Sequence, residues 1–118
     1  MAYLSEHCAD CQKLLGQPFE EVHAFLDQFF PIYGLGHRRL LHHQRGVELI
    51  VKKFGEAARS AAELHILRDL APKNELGQDW QELRNIIPQS WDGYGEPVLL
   101  DLNLYDQLDQ DIVTLYMD

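Results

Sequence analysis

Apolar residues recur at helical spacing along most of the chain. Leu4, Cys8, Cys11, Leu14 and Leu15 share one face, which predicts a first helix capped by Ser5 and stopped at Gly16. Pro18 stands where a helix tolerates proline, in its first turn. Phe19, Val22, Phe25, Leu26, Phe29 and Phe30 carry the same period up to Pro31, and Tyr33-Gly34-Leu35-Gly36 reads as the turn that follows. A third helix is expected over 37–54, with Leu40, Val47, Ile50, Val51 and Phe54 as its stripe and Gly55 as its stop. Ser60-x-x-Glu63 has the form of a capping box, so a fourth helix is expected over 61–70, ended by Ala71-Pro72. Asp79 is placed to cap a short fifth helix over 80–87, before Pro88.

Beyond Pro88 the period changes. Trp91-Asp92-Gly93-Tyr94-Gly95 has loop composition. Val98, Leu100, Leu102 and Leu104 alternate with other residues, as do Ile112, Thr114 and Tyr116, which suits a terminal hairpin. A helix carrying Leu108, Ile112 and Leu115 fits the second stretch almost as well. The pattern therefore predicts a mainly α fold, a bundle of four to five helices with a short C-terminal β-hairpin or irregular tail. Residues 1–87 would form a helical, histidine-rich core, and 88–118 an acidic extension packed on the same domain.

Composition narrows the function classes. A chain of 118 residues with 46% hydrophobic and 25% charged residues can bury a core without disulfide or metal staples. It has no run of ~18 apolar residues and no basic stretch followed by an apolar one at the N-terminus, so a cytoplasmic location is expected. The net charge of -9 disfavours direct nucleic-acid binding. Charge is polarised: Arg38, Arg39, Arg45, Lys52, Lys53 and Arg59 cluster mid-chain, while the tail carries Glu96, Asp101, Asp106, Asp109, Asp111 and Asp118 without a Lys or Arg. The tail and the basic stretch can face one another. Alternatively, the tail engages a basic protein partner or occupies a nucleic-acid site by imitation, as in a non-catalytic interaction protein of phage or mobile-element origin. A homodimer with histidines at its interface is a third arrangement.

The chemistry lies in the histidines. His23 and Asp27 are four residues apart, a spacing that places both on one helix face, and His65 and Asp69 repeat the H-x-x-x-D pattern. On the third helix His43 falls within the apolar stripe, His37 on its flank, and His42 on the outward side with Arg38 and Arg45. Helix bundles build metal sites from side chains on facing helices. The expected ligand set is therefore His23, Asp27, His37, His43, His65 and Asp69, which suits a divalent ion such as Zn, Mn, Fe or Ni and, with an open coordination position, a hydrolytic role. The competing reading is a buried network in which each imidazole merely finds a hydrogen-bond partner.

Cys8 and Cys11 form a C-x-x-C after His7, but no strand precedes it and no second pair follows, so the thiols read as small hydrophobes of the first helix. No G-x-S-x-G, H-E-x-x-H or phosphate-binding glycine loop is present.

The run His37-Arg38-Arg39-Leu40-Leu41-His42-His43-Gln44-Arg45-Gly46, then Phe54-Gly55, then His65-Ile66-Leu67-Arg68-Asp69-Leu70 and Asp79-Trp80 resembles a family of small uncharacterised proteins from bacteria and their phages. Its pattern is H-R-x-L-x-H-H-x-x-G, F-G, H-[VI]-x-x-D-L and D-W, with an upstream [VI]-H-x-[FW]-[FL]-D matched by Val22 to Asp27. The resemblance covers roughly residues 18 to 85. It implies that His23, Asp27, His37, His42, His43, His65 and Asp69 belong to a shared core, and it brings no established activity. Cys8, Cys11 and the tail after Ile87 lie outside it.

Overall fold

The computed structural model describes residues 4–71, 76–95 and 109–115, and every regular element among them is helical. In chain order these are α1 (Leu4–Leu15), α2 (Glu20–Leu26), α3 (Phe30–Tyr33), α4 (Arg38–Leu41), α5 (Gln44–Phe54), α6 (Arg59–Leu70) and α7 (Gln110–Thr114). Short 3-10 turns occupy Gly34–His37, Glu56–Ala58, Trp80–Ile86 and Trp91–Tyr94. No helix among the described residues is long and apolar enough to cross a membrane.

Helix α6 is the centre of the fold. Ala61 through Leu67 are all buried, as is Asp69, because α1, α2, α5 and the Trp80–Ile86 turn pack around it. A helix buried on all sides carries little amphipathic signal. Leu64, Ile66 and Leu67 of α6 share a solvent-free core with Leu26, Leu40, Leu41 and Ile50. The Ser60 capping box does not form: α6 starts earlier, Ala58 precedes it without a side-chain cap, and Glu63 is instead buried against Arg84, 2.6 Å away.

Two of the expected helices are broken, and both breaks matter for the site. The second ends at Leu26, with Asp27 as its C-cap. Pro31 then lies in the first turn of α3 and opens that helix where termination was expected. The helix expected over 37–54 is interrupted at His42 (φ −85°, ψ 57°) and His43 (φ −153°, ψ 174°). Three features build this second break. His43 caps α5 by accepting the Gly46 amide on Nδ1 at 3.0 Å. The Gln44 and Arg45 amides donate to the carbonyls of Pro88 and Gln89 at 2.8 and 3.3 Å. Gly46 passes so close to Leu41 that a Cβ there would lie 1.9 Å from its carbonyl oxygen.

The expected C-terminal β-hairpin is not found among the described residues. Its expected second arm is α7, capped by the Asp109 carboxylate, which accepts the Asp111 amide at 2.8 Å. Ile112 and Val113 are buried, and the helical alternative prevails over alternation here. The other arm, Val98 to Leu104, lies outside the described residues. Lys52 pairs with Asp111 at 2.8 Å and Lys53 with Asp109, so two carboxylates of the tail face the chain's own basic stretch.

Candidate metal centre

Side chains from five separate segments converge beside α6. His7 comes from α1, and His23 and Asp27 come from α2 and its C-terminal cap. His37 ends the 3-10 turn, His42 sits at the break between α4 and α5, and His65 and Asp69 lie one turn apart on α6. All five imidazoles and the Asp69 carboxylate are buried. The Asp27 side chain keeps 22% exposure, which marks the solvent-facing side of the cluster.

Two oxygens form its middle. Asp27 Oδ1 lies 3.0 Å from His37 Nε2, 3.0 Å from His65 Nε2 and 3.5 Å from His42 Nε2. Asp69 Oδ2 lies 3.0 Å from His42 Nε2 and 3.5 Å from His65 Nε2. One donor atom each from Asp27, His42, His65 and Asp69 falls within 4.8 Å of every other. Bonds of 2.0–2.1 Å at the tetrahedral angle put neighbouring ligand atoms about 3.3–3.4 Å apart. The four cross-distances of 3.0, 3.5, 3.0 and 3.5 Å bracket that edge.

The tautomers follow from the outer partners. His23 Nε2 is 2.9 Å from the Pro18 carbonyl; a carbonyl only accepts, so this nitrogen carries the proton and a neutral His23 leaves Nδ1 bare. His65 Nδ1, 3.0 Å away, is then the donor to His23 Nδ1. A neutral His65 therefore presents the lone pair of Nε2 to Asp27 Oδ1, acceptor against acceptor. His37 repeats the pattern, its Nδ1 donating to the Gly34 carbonyl at 2.7 Å while Nε2 faces Asp27. An imidazole that donates one N–H to a carbonyl or to another outer partner and aims its other nitrogen inward is oriented as a metal ligand is.

Burial keeps the His23 and His65 rings neutral beside ionised carboxylates. Burial pushes the His65 pKa down to about 3, only partly offset by Asp27. Burial, with His7 alongside, takes His23 to about 4. Burial opposes ionisation of Asp27 and Asp69, but hydrogen bonding outweighs it, His42 contributing to both carboxylates, and each is held below the usual carboxylate range. Burial also opposes a charge on His42, yet its contacts with Asp27 and Asp69 raise its pKa.

Of the residues expected from the sequence, His23, Asp27, His37, His65 and Asp69 lie in this cluster. His43 does not. Its Nδ1 accepts from Gly46 and its Nε2 donates to the Leu40 carbonyl at 3.1 Å, so both nitrogens are spent on the helix break. His42, expected on the outward side, is buried and takes the inward place expected of His43, because the break turns the chain after Leu41. His7 also belongs to the cluster, and its signal was the stripe His7, Cys11, Leu14 at i, i+4, i+7. Leu4, given to that face, is exposed. The cluster makes the chain a small helical protein whose buried His/Asp groups can hold a metal ion. No family model, curated protein or solved structure matches the chain, so these side chains alone carry the functional reading.

Proposed function

We propose that this protein binds a divalent metal ion through Asp27, His42, His65 and Asp69, with His37 beside Asp27 as a further ligand or as the group that orients it. The observation that carries the reading is the lone pair of His65 Nε2 set 3.0 Å from the carboxylate oxygen of Asp27. Two acceptors in contact need a cation between them, and burial disfavours the proton that would otherwise serve. A 2+ ion balances the two carboxylates while the imidazoles stay neutral, so the buried cluster carries no net charge. Mixed nitrogen and oxygen donors suit Zn, Mn, Fe or Ni. His23, bonded to His65 and to the Pro18 carbonyl, is an orienting residue outside the ligand set.

Such an ion supplies activation of a bound water, which makes hydrolysis the chemistry most in keeping with the site. The part-exposed edge of Asp27 is the side from which water and substrate would reach it.

Elemental analysis of protein purified without nickel chromatography tests the reading. Near-stoichiometric transition metal is expected, or, in metal-stripped protein, a rise in unfolding temperature on adding Zn or Mn. Asp69→Asn and His65→Phe should abolish either response. Less than about a tenth of an equivalent of metal, together with no thermal shift, would overturn it.

A further inference from the structure

His7 is the histidine that this metal reading leaves without a task. It is 1% exposed, and neither ring nitrogen has a hydrogen-bond partner. A buried polar group left in that state is destabilising, and such groups normally find a partner. The ring stacks on His65 with centroids 3.6 Å apart and planes 14° from parallel. Both rings turn Nε2 to the same carboxylate but to different oxygens. His65 Nε2 lies 3.5 Å from Asp69 Oδ2, and His7 Nε2 lies 3.4 Å from Asp69 Oδ1. The second distance is long for a hydrogen bond and close to the edge between two ligands of one tetrahedral ion, about 3.3–3.4 Å.

Stacked rings hold their in-plane lone pairs in nearly parallel planes, one per ring, so the two do not aim at one ion. They do serve two ions side by side, with a spacing set by the stacking distance. In two-metal sites the ions lie about 3.5–4 Å apart, a range that includes the 3.6 Å ring separation seen here. A carboxylate that shows one oxygen to each ring is placed to bridge them.

We propose that the cluster is a two-metal centre, in which His7 holds a second divalent ion of the Zn, Mn or Fe class and the Asp69 carboxylate bridges it to the first. The proposal rests on the metal reading above and adds the second ion. Two ions flanking one carboxylate would narrow the chemistry to an in-line displacement with attacking and leaving oxygens both stabilised, as in phosphoester hydrolysis.

The test is the stoichiometry of metal-stripped, untagged full-length protein dialysed against Mn²⁺, read by elemental analysis together with electron paramagnetic resonance. The expected result is two equivalents with magnetically coupled spins. His7→Phe, which keeps a ring stacked on His65 but cannot ligate, should retain one equivalent with an uncoupled signal. One equivalent in the unsubstituted protein overturns the second ion and leaves the first standing, whereas none removes both. Two coupled equivalents in His7→Phe would overturn the role of His7. The unsubstituted protein decides between one and two ions even if His7→Phe does not fold.

Discussion

Tyr94 donates its hydroxyl to the backbone carbonyl of His42 at 2.6 Å, across 52 residues of sequence. Burial raises the Tyr94 pKa to about 12, so the phenol remains a donor at any physiological pH. With the Pro88 and Gln89 carbonyls accepting from the Gln44 and Arg45 amides, this contact holds the segment that carries His42 in its turn between α4 and α5. Tyr94→Phe should lower stability by about 1 kcal/mol, the usual contribution of one such bond. It should also weaken metal binding about tenfold, the lower range for partners that orient ligands. Denaturant unfolding of the metal-free protein measures the first effect and a competition titration against a chelator the second. An unchanged metal affinity would reduce Tyr94 to a stability role.

His42 and His43 are adjacent and equally buried, yet their substitutions should separate cleanly. His43→Ala removes the cap of α5 and leaves the Leu40 carbonyl and the Gly46 amide without their side-chain partner. A lost cap alone costs about 1–2 kcal/mol. Its metal content should nevertheless match that of the unsubstituted protein. His42→Ala should lose metal affinity far beyond any loss in unfolding free energy, because it removes one of the four converging donors. Equal metal loss in the two variants would contradict the separate roles given to them.

The contrast between these two residues also shows what periodicity can and cannot reveal. A helical wheel assumes one straight helix, and over 37–54 it places His43 inside and His42 outside. The break exchanges them, and its causes lie in Gly46 against Leu41 and in the Pro88 and Gln89 carbonyls, the latter remote in sequence. The two H-x-x-x-D pairs were legible because i, i+4 spacing on α6 does bring His65 and Asp69 together, 3.5 Å apart. The pair on α2 is related differently, since His23 and Asp27 each contact opposite ends of the His65 ring. His7 was hidden by a neighbouring distraction. Cys8 and Cys11 drew the apolar face of α1 one residue too far around, while the buried line runs through His7 and Cys11.

Gly46 supports a prediction about that close approach. An added Cβ would meet the Leu41 carbonyl oxygen at 1.9 Å and its carbonyl carbon at 2.7 Å, both backbone atoms that no side-chain rotation can clear. Gly46→Ala should therefore destabilise the protein by about 1–3 kcal/mol or more, in spite of alanine's better helix propensity. Relief of the clash requires α4 and α5 to separate, so the variant should also lose metal affinity. Calorimetry and metal titration on the same preparation check both effects. A stabilised Gly46→Ala would show that the break is not held by this contact.

The metal-free protein should be most stable near neutral pH, falling away in acid. Burial holds the pKa of His23 and His43 near 4 and of His65 near 3, against about 6.5 in the unfolded chain. Above that value both states are neutral and these residues add no pH dependence. As pH falls below it, the unfolded chain takes up protons that the folded protein refuses, so stability declines. His42 acts in the opposite sense: its pKa is raised, so its contribution is full below the unfolded value and is lost as pH rises through the folded one. Asp27 and Asp69, held low by the imidazoles, contribute above the ordinary carboxylate pKa and steepen the loss once pH falls through it. Three lowered histidines outweigh one raised, so guanidinium midpoints of stripped protein should drop from pH 7 to pH 4.5. Saturating Zn or Mn should raise the midpoint most at neutral pH and progressively less in acid, because protons compete for the same donor atoms. A metal-induced shift that is equal at pH 7 and pH 5 would place the ion away from these histidines.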